Sequence, residues 1–590
     1  MARVAFITFY DEHAVGIRTM GNYLKSLGHS CLLLFVKKMS FRVLKETIEN
    51  NTNYMALCTG ALFGHCHDVS PISTSEVAEV CQKLQEFQPD VVGFSTRSFY
   101  DEIAKNIIGE IRRHIPSAFF VAGGFGPTLA YEKWLNYVDI VVRGDGEEAI
   151  ADIAACVDEK RSPEGIANTV YKKNGKIVLQ ELRPPERRLS KYPHPFFPHE
   201  HSIYIEHDGD AFIHSSSTEY DILMGRGCVG TCAYCSGGNW RTLYKDYDIT
   251  MPPRRMRRVE DIISELLIAK EKGYTSVRIL DEFMVAPMDV LRRLFERYGK
   301  EIGLPFATFL HPKITSAHPG FLEFLVEVGL RSSVVAIQTG DENFSMDVYK
   351  RKQNNANIIA FADSLKKVGI SVTYHFIGGN PIQPDSSLQD NFDLIRRLPF
   401  EPGKDNINIF LFAPFPRSPI VERFGMQKLL GYDRKRWHLE SLQMTMRAFC
   451  NDEEFEDVMK ITTPSELYEK MIDFCAEKMI AGEPASLNFR LHDVVVAKVL
   501  EKLKGRSIYL WGMSGGYEKI RDQLGDVLIE AAFDNDPGKQ GTTSSEGVPI
   551  LSPEALPTME RLPVVITSTY YNEIKNQIHA MDPSIPTMYL

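Results

Sequence analysis

Three cysteines near the middle of the chain, Cys228, Cys232 and Cys235, stand in the segment GRGCVGTCAYCSGG. Their spacing is C-x3-C-x2-C, directly after the apolar run YDILM. Thiolates are soft ligands that take iron–sulfur clusters and zinc. Three of them on one short loop hold three irons of a cubane and leave the fourth iron to be chelated by a small molecule. That opening separates a reactive cluster from one that only carries electrons, as open and closed zinc sites differ. The competing reading is a structural zinc knuckle. Zinc wants four ligands, and the fourth would have to come from a distant residue such as His207 or His214. The cluster is therefore preferred.

The other seven cysteines, Cys31, Cys58, Cys66, Cys81, Cys156, Cys450 and Cys475, are scattered over 590 residues. They do not make a disulfide framework and read as small buried hydrophobes. The formal net charge of −10 argues against a nucleic-acid partner. One basic run, PPRRMRR at 252–258, reads as solvated charge near a helix start. No apolar run is long enough to span a bilayer. The opening MARVAFITFYDEH reads as a strand, not a secretion signal. A cytoplasmic location without membrane association is expected.

The elements that must position the cysteines alternate strand and helix. Over 216–425 the strand candidates are YDILMGRG, SVRILDE, FATFLHP, SSVVAIQTG, SVTYHFIGG and INIFLFAP, with helical stretches such as RVEDIISELLIAKEKG between them. Six such units suggest a partial β/α barrel with its chemistry at the carboxyl ends of the strands. Residues 1–150 form another α/β unit, with strands RVAFITFY, CLLLFV, DVVGFS, AFFVAGG and VDIVVRGD. Short apolar runs closed by Gly, Asp or Ser suit a buried parallel sheet. Residues 151–215 read as a connector with a hairpin turning at Asn174-Gly175. Residues 430–503 read as helical, and 505–590 as a small α/β unit that starts with SIYLWG.

The cysteine segment resembles the radical S-adenosylmethionine (SAM) superfamily, over roughly 216–425. The likeness includes Tyr234 before the last cysteine, which by that resemblance lies near the SAM adenine. It implies that Cys228, Cys232 and Cys235 hold a 4Fe–4S cluster whose open iron is filled by SAM. One electron then cleaves SAM to methionine and a 5′-deoxyadenosyl radical. Asp281-Glu282, Gln338-Thr339-Gly340 and Gly378-Gly379 fall at strand ends where the family places SAM contacts. Glycines there let backbone approach the cofactor. At Arg417, in PFPRSP, the family often has glycine.

Residues 1–150 resemble the cobalamin-binding domain attached to one large class of that superfamily. VGFSTRS, VAGGFGPT and VVRGDGEEAI each end a strand in small or polar residues. Gly123, Gly124 and Gly144 would let a corrin and its tail approach, and Ser95 and Thr96 would donate hydrogen bonds to it. Asp11, His13 and Gly16 fit D-x-H-x-x-G, the cobalt-binding signature of corrinoid methyltransferases. There a neutral imidazole is the lower ligand and an acid on its other nitrogen sets its basicity. The bland alternative is a capping Asp11 and an ordinary first-turn histidine. His65-Cys66-His67 reads as a loop without metal, because neighbouring extended residues point to opposite sides.

In the last unit, Gly512–Gly516 fits G-x-S-x-G, with Asp534 and His579 following. About 85 residues is too short for that hydrolase fold, and the unit reads as a Rossmann-like accessory domain.

The expected fold class is α/β: a Rossmann-like cobalamin-binding domain (1–150), a connector (151–215), a partial (β/α)6 TIM-like radical SAM barrel (216–425), a helical segment (430–503) and a small C-terminal Rossmann-like domain (505–590). The expected cofactors are a 4Fe–4S cluster, SAM and cobalamin. The resemblance implies methyl transfer from methylcobalamin to an unactivated carbon. Cyclisation or rearrangement without methyl transfer stays open, as does a cobalamin- or redox-sensing role. The implied partners are a small-molecule or peptide substrate and a flavodoxin- or ferredoxin-type reductant. No catalytic acid or base is named.

Overall fold

The computed structural model describes residues 1–11, 13–37, 40–42, 54–59, 65–68, 72–97, 101–207, 218–281, 286–402, 404–431, 433–481, 489–513, 515–568 and 571–589. The chain divides into two compact units. One comprises Met1–Phe41, His67–Pro399 and Leu411–Tyr432; the other comprises Arg42–Cys66, Phe400–Phe410 and Asp433–Leu590.

The first unit opens with five parallel strands, Arg3–Phe9, Ser30–Val36, Val91–Ser95, Phe119–Gly123 and Ile140–Val142. Arg3–Phe9 pairs with Ser30–Val36 on one side and Val91–Ser95 on the other. Chain order reverses across that central strand, so the carboxyl ends of Arg3–Phe9 and Val91–Ser95 flank a switch point where such sheets bind ligands. The strands are apolar on both faces because helices cover both: Val4, Ala5, Ile7, Val91, Val92 and Phe120 are fully buried. The segment read as a connector contributes to this sheet. The hairpin Thr169–Lys173/Lys176–Leu179 joins it antiparallel beside Ile140–Val142, and Ser202–Ile205 joins it parallel beside Ser30–Val36. The turn at Asn174-Gly175 has both residues at positive φ, as a two-residue hairpin turn requires.

Farther along the same unit, Glu219–Ile222, Ser276–Ile279, Phe306–Phe309, Leu330–Gln338 and Ser371–Gly378 pair in parallel, each with the next. Helices Val259–Glu271, Met288–Arg297, Phe321–Glu327 and Asn355–Lys367 fill the connections. Along Ser371–Gly378, Val372, Tyr374 and Phe376 are fully buried while Ser371, Thr373 and His375 between them are partly exposed. The period of two therefore sorts apolar side chains to one face of the strand and polar ones to the other. The sixth expected strand forms at Asn406–Leu411.

In the second unit, Asn406–Leu411 pairs antiparallel with Tyr54–Thr59. Residues His65-Cys66-His67 lie in a strand, His65–Asp68, where a loop was expected. Helices Arg434–Phe449, Asp452–Met459, Pro464–Ile480 and Phe489–Leu503 precede a five-stranded parallel sheet that begins with Ser507–Trp511. The Asp534 carboxylate accepts from the Met513 and Asp536 N–H groups and from Lys539. Ser514, of the G-x-S-x-G reading, lies outside the described residues. Among the described residues, no helix is long and apolar enough to cross a membrane.

Candidate functional site

The cysteine loop runs from the short strand Gly225–Arg226 to the helix Ser236–Lys245, whose N-cap is Cys235. All three thiols are half-buried and free of disulfides. The Gly230 N–H donates to Cys228 Sγ at 3.3 Å and the Gly237 N–H to Cys235 Sγ at 3.4 Å. Backbone donors aimed at sulfur suit thiolates that carry negative charge into a cluster. The loop is anchored from both sides: Ala233 N–H donates to Tyr349 C=O, and Ile420 N–H donates to Ala233 C=O. Tyr234 meets Tyr349 edge to face at 4.6 Å. Burial pushes the Tyr234 hydroxyl well above its usual pKa.

Arg351 links this loop to a strand end. Its Nη1 lies 4.0 Å from Cys232 Sγ and its Nη2 donates to Ala336 C=O at 2.5 Å. The strand is irregular there: the register shifts between Ala336 and Gln338, and Gln338 takes φ 77. A left-handed glutamine costs about 1–3 kcal/mol, which is typical of ligand-binding turns. The next two residues are held by the protein. Asn391 Oδ1 accepts from Thr339 Oγ1 at 3.2 Å and from Gly340 N–H at 2.6 Å. A Cβ on Gly340 would sit 2.3 Å from the Asp390 carbonyl oxygen, so only glycine fits. Gly378 accepts from Phe412 N–H at 2.8 Å, and Gly379 takes φ 70. Arg417, where glycine was noted, takes φ 61, and its guanidinium lies 5.4 Å from the Tyr131 ring.

Beside the loop lies a cavity of about 580 Å³. Asp11, His13, Gly16, Ser95, Thr96, Gly123, Gly124 and Gly144 line it from the carboxyl ends of the first sheet. Cys228, Trp240, Arg241 and Asp281 line it from the barrel. Gly124 has φ 97, and a Cβ there would lie 2.6 Å from Thr96 O; Gly144 has φ 76, and its Cβ would lie 2.5 Å from Tyr244 Oη. Gly16 has no atom within 4 Å of a built Cβ, so its side of the cavity is open. Thr96 turns its hydroxyl to Asp101 at 2.8 Å. Glycine-walled space at a switch point fits a broad, flat ligand with a tail. Cys232, Tyr234, Cys235, Gln338–Gly340 and Gly378-Gly379 are not among the lining residues, and Glu282 lies outside the described ones.

Charge is concentrated where the two halves of the cavity meet. The 252–258 run is not solvated as expected: the side chains of Arg254, Arg255 and Arg257 are only 7%, 2% and 13% exposed, and Arg258 is the exposed one. Arg254 pairs with the buried Asp281, Arg255 with Asp145 and Arg257 with Glu265. Buried guanidinium needs a carboxylate: Asp145 lies 110 positions from Arg255 and Asp281 27 from Arg254, while Glu265 is on the helix just after Arg257. Asp281 also accepts from Met224 N–H at 2.8 Å. Burial raises its pKa despite Arg254. The acid at His13 was also unforeseen. Asp221 Oδ2 lies 2.5 Å from His13 Nδ1, while Asp11 accepts from Ala14 N–H and Arg97.

Two family models match the chain: a B12 binding domain over residues 4–154 and the radical SAM superfamily over 222–395. An uncharacterized methyltransferase of Pyrococcus horikoshii is 23% identical over 60% of this chain and 72% of its own length. The anaerobic magnesium-protoporphyrin IX monomethyl ester cyclase of Rubrivivax gelatinosus is 23% identical over 65% and 68%. The cytidylyl-2-hydroxyethylphosphonate methyltransferase of Streptomyces wedmorensis is 24% identical over 58% and 68%. The fold is similar to that of the radical SAM methyltransferase TsrM from Kitasatospora setae, with a TM-score of 0.53 and 14% identity over 72% of this chain and 78% of that one. The cobalamin-dependent radical SAM enzyme OxsB aligns with a TM-score of 0.53 and 13% identity over 85% and 76%.

The chain joins a B12 binding domain to a radical SAM domain, in a fold similar to that of cobalamin-dependent radical SAM enzymes. Its cofactors are a 4Fe–4S cluster, SAM and cobalamin.

Proposed function

We propose that the protein is a C-methyltransferase acting on an unactivated carbon of a biosynthetic substrate. Cys228, Cys232 and Cys235 hold the cluster. Tyr234, Asp281, Glu282, Gln338-Thr339-Gly340 and Gly378-Gly379 form the SAM side. Asp11, His13, Gly16, Ser95, Thr96, Gly123, Gly124 and Gly144 form the corrinoid side. When bound, SAM with the cluster supplies a hydrogen-abstracting radical and the corrinoid supplies a methyl group. The observation that carries the reading is the single cavity whose wall runs from Gly16, Ser95 and Gly124 to Cys228.

The chain's own residues orient and enclose. Gly124 and Gly144 put backbone in the cavity wall, where their missing side chains leave room for Thr96 and Tyr244. Phe125 and Trp240, with ring centroids 4.5 Å apart, form an apolar part of the cavity wall. An apolar wall keeps water from a radical step. The Arg351 guanidinium beside Cys232 partly offsets the charge of a thiolate-bound cluster. Reducing equivalents come from a flavodoxin- or ferredoxin-type protein, and the substrate is a small molecule or peptide. The reading includes a cytoplasmic location, supported by eight described cysteines that form no disulfide.

Anaerobic reconstitution with iron, sulfide and hydroxocobalamin, followed by SAM and a strong reductant, tests the reading. Bound corrinoid with both 5′-deoxyadenosine and S-adenosylhomocysteine is expected. Deoxyadenosine without S-adenosylhomocysteine would reject methylation. It would favour cyclisation or rearrangement, which the likeness to a cyclase keeps as the second reading.

A further inference from the structure

Asp145, in the loop after strand Ile140–Val142, holds the polypeptide on both sides of the cysteine loop. On the amino side, two positions before Cys228, Arg226 reaches it with Nη1 at 3.8 Å and also pairs with Glu147. On the carboxyl side, the helix Ser236–Lys245 follows Cys235, and Trp240 on it lines the same cavity. Four residues farther along the same helix, Tyr244 Oη accepts from the Asp145 N–H at 3.3 Å. Arg255, on the strand paired with Gly225–Arg226, closes the group with Nη1 at 2.5 Å.

The carboxylate sits among ions and donors in the cavity wall, its side chain 15% exposed. Burial would raise its pKa, but Arg226 and Arg255 outweigh burial and hold it below the usual range. The backbone leaves little slack. Gly144 takes φ 76 and would collide with Tyr244 if it bore a side chain, and Asn168 Nδ2 fixes the Asp145 C=O at 2.9 Å. Gly144, Asp145 and Gly146 all line the cavity, so a ligand filling it presses on the same loop.

We infer that Asp145 is a positioning residue that couples the two cofactor sites, so that filling the cysteine loop changes affinity for the corrinoid and the reverse. The inference rests on the placement of cluster and corrinoid proposed above. A cubane fixes the spacing of Cys228 and Cys235, hence of Arg226 and Tyr244, hence the seat of Asp145 in the cavity wall. Linkage makes the effect reciprocal.

The test compares hydroxocobalamin dissociation constants for iron-free and iron-reconstituted protein, in the wild type and in Asp145→Asn. The wild-type ratio is expected to depart from one by about five-fold or more. In Asp145→Asn both ligands still bind and the ratio falls to near one. Tyr244→Phe, which removes only the hydroxyl that accepts from the Asp145 N–H, is expected to lower the ratio without loss of iron. Dipolar spectroscopy between cob(II)alamin and the reduced cluster gives a second readout, with a narrow separation in the wild type and a broader one in Asp145→Asn. A wild-type ratio of one, or an unchanged ratio and distance width in both variants, would overturn the inference. A wild type that takes up neither iron nor hydroxocobalamin, or a Cys228/Cys232/Cys235→Ala variant that keeps its iron, would overturn the proposed placement and the inference with it.

Discussion

His13 Nδ1 lies 2.5 Å from Asp221 Oδ2, and His13 Nε2 lies 3.2 Å from Arg278 Nη2. Arg278 has only protons to offer, so Nε2 is the acceptor and Nδ1 carries the hydrogen toward Asp221. Both nitrogens of the motif histidine are therefore engaged by barrel strands. The nitrogen that would ligate cobalt is occupied. We expect the cob(II)alamin form to lack nitrogen superhyperfine splitting from an imidazole, and His13→Ala to give the same electron paramagnetic resonance spectrum. A splitting present in the wild type and lost in His13→Ala would place His13 on the metal.

The same contact makes stability depend on pH. Burial raises the Asp221 pKa, but the hydrogen bonds of His13 and Arg278 and the charge of Arg278 outweigh it and bring it from 3.8 to about 2. A carboxyl depressed on folding contributes stability above its unfolded pKa and loses it as pH falls through the folded one. The contribution is about 2 kcal/mol above pH about 4 and vanishes below pH about 2. Urea unfolding of wild type and Asp221→Asn should show a stability difference that shrinks by about that amount over this window. A difference that does not change with pH would contradict the assignment.

Arg254 and Asp281 form an ion pair with side chains 7% and 0% exposed. Removing one partner strands a buried charge, so Arg254→Met is expected to cost about 3–5 kcal/mol. Arg254→Met/Asp281→Leu should recover much of that, because the desolvation penalty disappears with both charges. A double-mutant cycle in urea measures the coupling, and a cycle that sums to zero would mean the pair is not formed.

Gly340 is prevented by packing, not by a ligand, from bearing a side chain. Its Cβ would meet the Asp390 carbonyl oxygen at 2.3 Å. Gly340→Ala is expected to cost about 1–3 kcal/mol in the cofactor-free protein. Loss appearing only once SAM is bound would point to a cofactor contact instead.

Strands that repeat a local pattern were legible. The runs RVAFITFY, DVVGFS and AFFVAGG become Arg3–Phe9, Val91–Ser95 and Phe119–Gly123 because buried parallel strands need unbroken apolar residues. The cysteine spacing was legible because one loop carries all three sulfurs. Partnerships between distant segments left no local trace. Nothing near Arg255 announces Asp145, and nothing near His13 announces Asp221. Arg351 sits in YKRKQ, a run that looks like surface charge, yet it approaches Cys232 from 119 positions away. Arg254 and Arg255 were misread for the same reason: composition reports charge, and only the fold says whether water reaches it.

The pairing of Asn406–Leu411 with Tyr54–Thr59 has a consequence for how the chain is made. During translation Tyr54–Thr59 leaves the ribosome hundreds of residues before its neighbour exists, and contacts so distant along the chain form slowly. An early strand with an open edge invites pairing with other nascent chains. Shortened forms that stop ahead of Asn406 should accumulate as aggregates during expression, whereas those that stop beyond it keep the edge covered.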